Sequence, residues 1–138
     1  MHLKIEHYVL CAADDAENAL EYEAIRHYAP LLTDPSLVAG DWNLGPTIAN
    51  REYRKILSML EERGLKCLFQ TFKAKNPNAV DLPTYRPVRG KNFHKIDHAM
   101  GSSWFQENLR SFDTRPLSEA VLSDHAPIVL EFGDGIKS

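Results

Sequence analysis

Short apolar runs alternate with amphipathic segments in the first half of the chain, and this alternation limits the fold more than any other feature. Residues 3–10 alternate apolar and polar side chains with a period of two, which predicts a strand. A helix is predicted next, with Asp14 and Glu17 in a capping pattern at its start and Pro30 at its end. The run "SLVAG", closed by Gly40, then predicts a central strand.

In the second half the predicted strands follow one another more closely. The segment "NREYRKILSMLEERG" predicts a helix with apolar residues on one face and Gly64 just beyond its end. Further strands are predicted at "LKCLF" (65–69), "HKIDHAM" and "APIVLEF", with one more short strand within 107–121. Residues 73–93 contain three prolines and predict a long exposed loop. Strands that alternate with helices in the first half and then follow one another in the second half predict an α/β or α+β fold with a mixed sheet.

The size and charge of the chain narrow the functional classes. Its 138 residues suit one domain, and its net charge of −3 gives no bulk attraction for nucleic acid, so a phosphate site would need local cations. No apolar run approaches the ~18 residues of a membrane span, and we predict no signal peptide. We therefore predict a cytoplasmic protein with no membrane partner. Cys11 and Cys67 show no metal-type spacing and are predicted to be buried free thiols.

Three clusters of polar residues lie at the ends of predicted strands. Asp41 and Asn43 follow "SLVAG", Asp97 interrupts "HKIDHAM", and Asp124 with His125 precedes "APIVLEF". A charge beside a core strand is costly unless another group pairs with it. One such cluster is usually a structural acid, but three of them need either three separate structural explanations or one shared site.

A shared site of this composition suits phosphodiester hydrolysis. That reaction needs an activated water, a neutraliser for charge on the phosphoryl oxygens, and help for the leaving oxygen. Carboxylates can hold Mg²⁺, a hard cation that prefers oxygen ligands. A histidine held by an acid can donate to a phosphate or accept a proton.

The motifs "GDWN", "KIDH" and "SDHAP", in this order, resemble the last three motifs of the endonuclease/exonuclease/phosphatase superfamily. Its members include abasic-site endonucleases, deoxyribonucleases, sphingomyelinases and inositol polyphosphate phosphatases. "PTYRP" lies where that family often has a Thr-Tyr stretch before the "KIDH" strand. The resemblance extends from about residue 9 to residue 132.

The resemblance implies catalytic roles for four residues. Asp41 would orient or deprotonate the attacking water, and Asn43 would hydrogen-bond the scissile phosphate. His125 would contact the phosphate, oriented by Asp97 as a dyad.

It also implies a metal ligand and two substrate contacts. Asp124 would hold Mg²⁺, or Mn²⁺ in its place, directly or through water. Tyr85 and Arg86 would contact the substrate, a nucleic acid or another phosphodiester. The basic residues around Arg86 could instead belong to a solvated loop.

The chain departs from the family in its length. Family members are four-layered sandwiches about twice as long as this chain. The resemblance therefore implies a single truncated domain over 1–138 that corresponds to their C-terminal half. That half would have one mixed, mostly antiparallel sheet with helices on one face. The Asn and the metal-binding Glu of the first half have no counterpart. Either Cys11 or His7 occupies the place of a catalytic His or Tyr, and neither matches cleanly. Lys95 and His98 replace the commoner Arg and Tyr.

A lone half would leave one face of its apolar strands exposed, and so large a patch is rare on a monomer. We therefore expect a homodimer packed sheet against sheet, or a partner that supplies the missing half; the chain could also be a fragment of a longer product.

The function expected first is metal-dependent phosphodiester hydrolysis by a nuclease-like protein whose site is incomplete in one chain. The alternatives are a catalytically inactive remnant or interaction domain, and a phosphatase acting on a small phosphorylated or lipid-headgroup substrate.

Overall fold

The structure, a computed structural model, describes residues 6–9, 18–87, 92–120 and 122–133, with only the backbone described for 6–9 and 18–22. Strands and helices alternate along most of the chain. In order they are β1 (Glu6–Val9), α1 (Asn18–Tyr28), β2 (Ser36–Asp41), α2 (Asn50–Glu62), β3 (Lys66–Cys67), α3 (Leu68–Lys75), β4 (Asp97–Gly101), α4 (Ser103–Asn108), β5 (Leu109–Thr114) and β6 (Ile128–Phe132). Single 3₁₀ turns lie at Ala29–Leu31, where Pro30 follows α1, and at Leu117–Glu119.

Four strands form a mixed sheet in the order β1-β2-β4-β3. β1 runs parallel to β2, while β4 is antiparallel to both β2 and β3. The predicted α+β class with a mixed, mostly antiparallel sheet is therefore confirmed. The last two strands, β5 and β6, pair with each other in a separate antiparallel ladder instead of joining this sheet.

The two faces of the central sheet are covered by different elements. Alternate residues of β2 point to opposite faces, so Val38 joins the core beneath α1 and α2 while Leu37 joins a second core. Residues of α3, α4 and β5 complete that second core. The helical layer predicted on one face is α1 with α2, but helices are not confined to that face, because α3 and α4 cover part of the opposite one together with the β5–β6 pair.

Helix α2 follows from its sequence pattern. Ile56 and Leu60 are fully buried against the sheet, one helical turn apart. Gly64 follows the helix with a φ of +81°, a left-handed conformation that glycine adopts without a steric penalty, and its N–H donates to the Glu61 carbonyl at 2.9 Å. The predicted end of this helix is confirmed.

The strand predicted at 65–69 is mostly wrong. Only Lys66 and Cys67 pair with β4, and Leu68 begins α3. The adjacent Leu68 and Phe69 are both buried in the second core, which a helix on that face permits and a flat strand would not. The predicted loop therefore begins after α3, and the short helix α4 was not predicted.

The predictions for the two cysteines and for the start of the first helix can be followed only in part. Cys67 is a free thiol and half-buried. Cys11, Asp14 and Glu17 lie outside the described residues. Within the described part of the chain, no helix is both long enough and apolar enough to cross a membrane.

Candidate active site

Two carboxylates meet where β2 ends and β4 begins. Asp41 is the last residue of β2 and lies directly opposite Asp97, the first residue of β4. Directly opposed residues of an antiparallel pair project to the same face, with Cβ atoms about 5 Å apart. The register of these two strands therefore places both acids at one rim of the sheet.

Thr84 ties a third segment to this rim. Its side chain is fully buried, and its hydroxyl accepts hydrogen bonds from the N–H groups of Ile96 and Asp97, both at 3.1 Å. Its carbonyl accepts the N–H of Ala126 at 2.7 Å. One residue thus connects the strand that carries Asp97 to the segment that carries His125. Sequence reasoning did not assign Thr84 a role, although a threonine inside the "PTYRP" motif was the available signal.

His125 and Asp97 form a dyad. Asp97 Oδ2 lies 2.8 Å from His125 Nδ1, and the two side chains are 18% and 28% exposed. A carboxylate only accepts hydrogen bonds at neutral pH, so Nδ1 carries the proton and Nε2 of the neutral ring is the free base. That Nε2 lies 3.7 Å from Asp41 Oδ2 and 3.9 Å from Asp124 Oδ1. The ring can therefore exchange a proton at Nε2 without losing its orientation.

The site makes Asp41 harder to ionise than an ordinary aspartate. Burial raises the pKa of Asp41, and the neighbouring charges of Asp97 and Asp124 raise it further. The N–H of Asn43, which donates to Asp41 Oδ1 at 2.8 Å, and His125 oppose this shift. A carboxylate with a raised pKa binds a proton more readily, which suits it to act as a general base.

The remaining predicted site residues adjoin this group. The Tyr85 ring packs on the His125 imidazole with centroids 5.0 Å apart. Asp124 is more exposed, at 53% of its side chain, and its carbonyl accepts the Arg86 N–H at 2.8 Å. The Arg86 side chain is exposed at the rim, 3.5 Å from the Ala120 carbonyl oxygen. The structure therefore brings all seven sequence-predicted site residues into one neighbourhood.

The donor set has the chemistry of a hard-cation site. Ligand atoms of Asp41, Asp97 and His125 lie within 4.8 Å of one another. Asp97 Oδ2 already accepts from His125 Nδ1 and Asp41 Oδ1 from the Asn43 N–H, so Asp41 Oδ2, Asp97 Oδ1 and the Asp124 carboxylate remain for a cation. Mg²⁺ is commonly held by one or two carboxylates together with waters and substrate phosphates, so these residues fit it. The sequence named only Asp124 as a ligand.

An apolar cleft opens beside the dyad. It has a volume of about 620 Å³, and Asp97 and His125 are among the residues that line it. Its walls are mainly apolar side chains of β2, β4 and β6 with their flanking residues, namely Ala39, Ala99, Ala126, Pro127, Ile128 and Leu130. This is the face of the sheet that neither α1 nor α2 covers.

His98, the last residue of "KIDH", is structural. It is buried between the rings of Trp42 and Tyr53, with centroids 4.8 and 4.9 Å away, and its Nε2–H donates to the Leu44 carbonyl at 2.8 Å. Burial lowers its pKa to about 4, with a further lowering by the charge of Lys95. Burial likewise raises the pKa of Tyr53 to about 12. The neutral ring of His98 therefore anchors the loop that leads away from Asp41.

The two alternatives for the residue in the first strand stay predictions. Cys11 lies outside the described residues, and His7 is described only as a backbone position in β1, opposite Leu37.

Comparisons with known proteins agree on the fold. No known protein family model matches the sequence. Among solved structures, an AP endonuclease from Archaeoglobus fulgidus is 17% identical with a TM-score of 0.65, covering 93% of this chain and 61% of its own. The endonuclease domain of TRAS1, a telomere-specific non-LTR retrotransposon, is 18% identical with a TM-score of 0.64, covering 91% and 55%. A 3' phosphatase from Neisseria, bound to product DNA hairpin, is 20% identical with a TM-score of 0.59, covering 84% and 51%.

These likenesses extend over nearly all of this chain but only part of each neighbour. The chain spans between 51% and 61% of the length of these three solved structures. The resemblance predicted from the motifs is thus confirmed at the level of the fold. The chain has the fold of the endonuclease/exonuclease/phosphatase proteins over slightly more than half of their length.

Proposed function

We propose that this protein is a metal-dependent phosphodiester hydrolase that acts on nucleic acid. One observation carries the proposal: His125 is hydrogen-bonded to Asp97 at 2.8 Å on one side and faces Asp41 at 3.7 Å on the other. A histidine fixed by one acid and facing a second can hold a phosphate oxygen while the second acid activates water. A purely structural histidine would not need its second nitrogen exposed to two carboxylates.

The chemistry divides between two acids. Asp41, whose pKa burial raises, accepts the proton of the attacking water. Asp97 keeps the proton of His125 on Nδ1, so that Nε2 can take up a proton and donate it to a phosphoryl oxygen. Asn43, whose N–H is bonded to Asp41, contributes a further contact to the scissile phosphate.

Mg²⁺, or Mn²⁺ in its place, held by Asp124 directly or through water, would neutralise charge on the phosphoryl oxygens. Tyr85 packs on His125 and so restricts the motion of its ring during the reaction. Arg86 supplies a positive charge at the rim, in a chain whose net charge of −3 does not attract a polyanion.

Nucleic acid is the substrate class that the comparisons favour. Two of the structural neighbours are named endonucleases, and a third is a phosphatase bound to a DNA hairpin. The cytoplasmic location predicted from the sequence stays a prediction.

We also propose that a second copy of the chain covers the apolar cleft. Pro127, which lines the cleft, is exposed, and the chain spans only about half of its neighbours' length. A self-complementary pair of these faces would bury the cleft and bring a second set of acids towards the rim. Such a dimer would complete a site that one chain fills only in part.

The test is cleavage of supercoiled plasmid and of an oligonucleotide with one abasic site, with Mg²⁺ and then with chelator. We expect cleavage that is lost in chelator and in His125→Ala. Asp113→Asn is the matched control, because Asp113 is an exposed acid on β5 whose ion pair is with Arg115. If no phosphodiester is cleaved at high protein concentration, the inactive remnant or interaction domain replaces the enzyme. Cleavage confined to small phosphate esters would favour the phosphatase.

A further inference from the structure

Tyr85 is paired directly with two histidines, one on each side. Isolated antiparallel bridges join it to His94 and to His125. Directly opposed residues in antiparallel pairs project to the same face, so the three side chains form a row. The contact between the Tyr85 and His125 rings, at 5.0 Å, is the arrangement that this register requires. His94 therefore lies on the same surface as the dyad, on the far side of Tyr85.

His94 is held in one orientation although it lies at the surface. The Thr47 hydroxyl is 2.8 Å from His94 Nδ1, in an exposed hydrogen bond. Thr47 belongs to a tight turn closed by the Gly45 N–H, which donates to the Ile48 carbonyl at 2.8 Å. The contact allows two tautomers of the neutral ring, and the one in which the hydroxyl donates to Nδ1 keeps the proton on Nε2. In that tautomer the imidazole presents an N–H donor away from Thr47.

The distance from the dyad suits a longer substrate. Adjacent strands lie about 4.8 Å apart, so two strand spacings separate His94 from His125 by about 10 Å. Successive phosphates of one duplex strand advance about 3.4 Å along the helix axis and also turn about it, so they lie about twice that distance apart in space. The row therefore spans roughly one to two nucleotides.

We propose that His94, positioned by Thr47, binds a phosphate roughly one to two nucleotides from the one that contacts His125. This inference rests on the proposed function, because it takes the dyad to be the site of the scissile phosphate. Neither residue is among those the sequence motifs assign. The contact makes the protein prefer polymeric nucleic acid to a dinucleotide or a small phosphate ester.

The test compares ligands that can and cannot span the row. Binding of a fluorescent 12-nucleotide DNA is measured by anisotropy in chelator, so that nothing is cleaved, and binding of a dinucleotide by competition with it. We expect His94→Ala to weaken 12-nucleotide binding about tenfold, as for loss of one phosphate contact worth about 1.4 kcal/mol. Thr47→Val, which keeps the shape of the side chain, should weaken it less. Neither should change dinucleotide binding.

The control variant is His27→Ala, which removes an exposed histidine from α1. It should bind both ligands as the wild type does. Thermal unfolding of each variant shows that it is folded, and His94→Asn is the second variant should His94→Ala unfold. Equal weakening of both ligands, or no weakening of either, overturns the inference while leaving the proposed function standing. Failure of the wild type to bind DNA of any length, both in chelator and with Mg²⁺ present, overturns both.

Discussion

The lowered pKa of the buried histidine of β4 predicts how the free energy of unfolding changes with pH. His98 is 4% exposed, and its folded-state pKa is about 4 against an ordinary value of 6.5. The folded protein therefore holds the ring neutral, while the unfolded chain takes up a proton as the pH falls below 6.5. At about 1.4 kcal/mol for each tenfold change in proton affinity, this difference amounts to about 3 kcal/mol. Stability should be unaffected by His98 above pH 6.5 and decline progressively as the pH falls to 4.

The perturbation that isolates this effect is His98→Gln. Glutamine cannot titrate, and its amide can still donate to the Leu44 carbonyl that His98 Nε2 contacts. The variant loses ring packing between Trp42 and Tyr53, so we expect it to be less stable at pH 7.

Urea unfolding of both proteins between pH 4 and 7.5 gives the free energy of unfolding at each pH. The advantage of the wild type should shrink by about 3 kcal/mol on going from pH 7 to pH 4, the amount expected from its lowered pKa. Contributions from other titrating groups are common to both proteins and cancel in the difference. A difference that stays constant over this range would refute the claim that the ring is buried in its neutral form.

The other predictions concern the rim and its supports. Asp41→Asn should abolish turnover yet raise the free energy of unfolding at pH 7, because the folded pKa of Asp41 is raised and its charge is unfavourable there. Chemical unfolding should show this gain in stability vanish as the pH falls to 3.8. A variant that is less stable than the wild type at pH 7 would contradict this reasoning. Asp97→Asn should lower kcat on the order of 100- to 10,000-fold in the cleavage assay with little change in thermal midpoint, since it removes the group that orients His125; unchanged kcat would contradict this. Gly45→Ala should lower stability by about 1–3 kcal/mol in urea, because its Cβ would overlap the Lys95 carbonyl oxygen, and an unaffected variant would show that the loop can move away. Light scattering should give the mass of two chains, and a stable monomer at every concentration would remove the proposed second copy.

The elements that the sequence predicted best are those whose pattern is local. Helix α2 has its apolar stripe and Gly64 within fifteen residues, and the apolar run of β2 is short and closed by Gly40. The helix α3 was mistaken for a strand because Leu68 and Phe69 form an apolar run with no period of its own. Its position against the second face of the sheet is a tertiary constraint that the local sequence does not encode.

The candidate site was predictable in its residues but not in its arrangement. Three polar clusters at strand ends indicated a shared rim, and the β2–β4 register places two of them opposite each other. The roles of Thr84 and His94 depend on bridges made by residues 84–86, which have no periodic pattern. A segment without regular structure that pairs with two other segments through single residues has no recognisable sequence pattern. These contacts are therefore seen only in the folded structure.

NMR of the His125 ring nitrogens during titration with a dinucleotide and Mg²⁺ tests directly whether the His125–Asp97 dyad binds a phosphodiester. It reports on the dyad even where turnover is slow. We expect a free ring with the proton on Nδ1, as the bond to Asp97 requires, and a change of the Nε2 resonance that saturates as the phosphodiester binds. A proton found on Nε2 in the free protein, or binding that leaves the His125 resonances unchanged, would contradict this expectation.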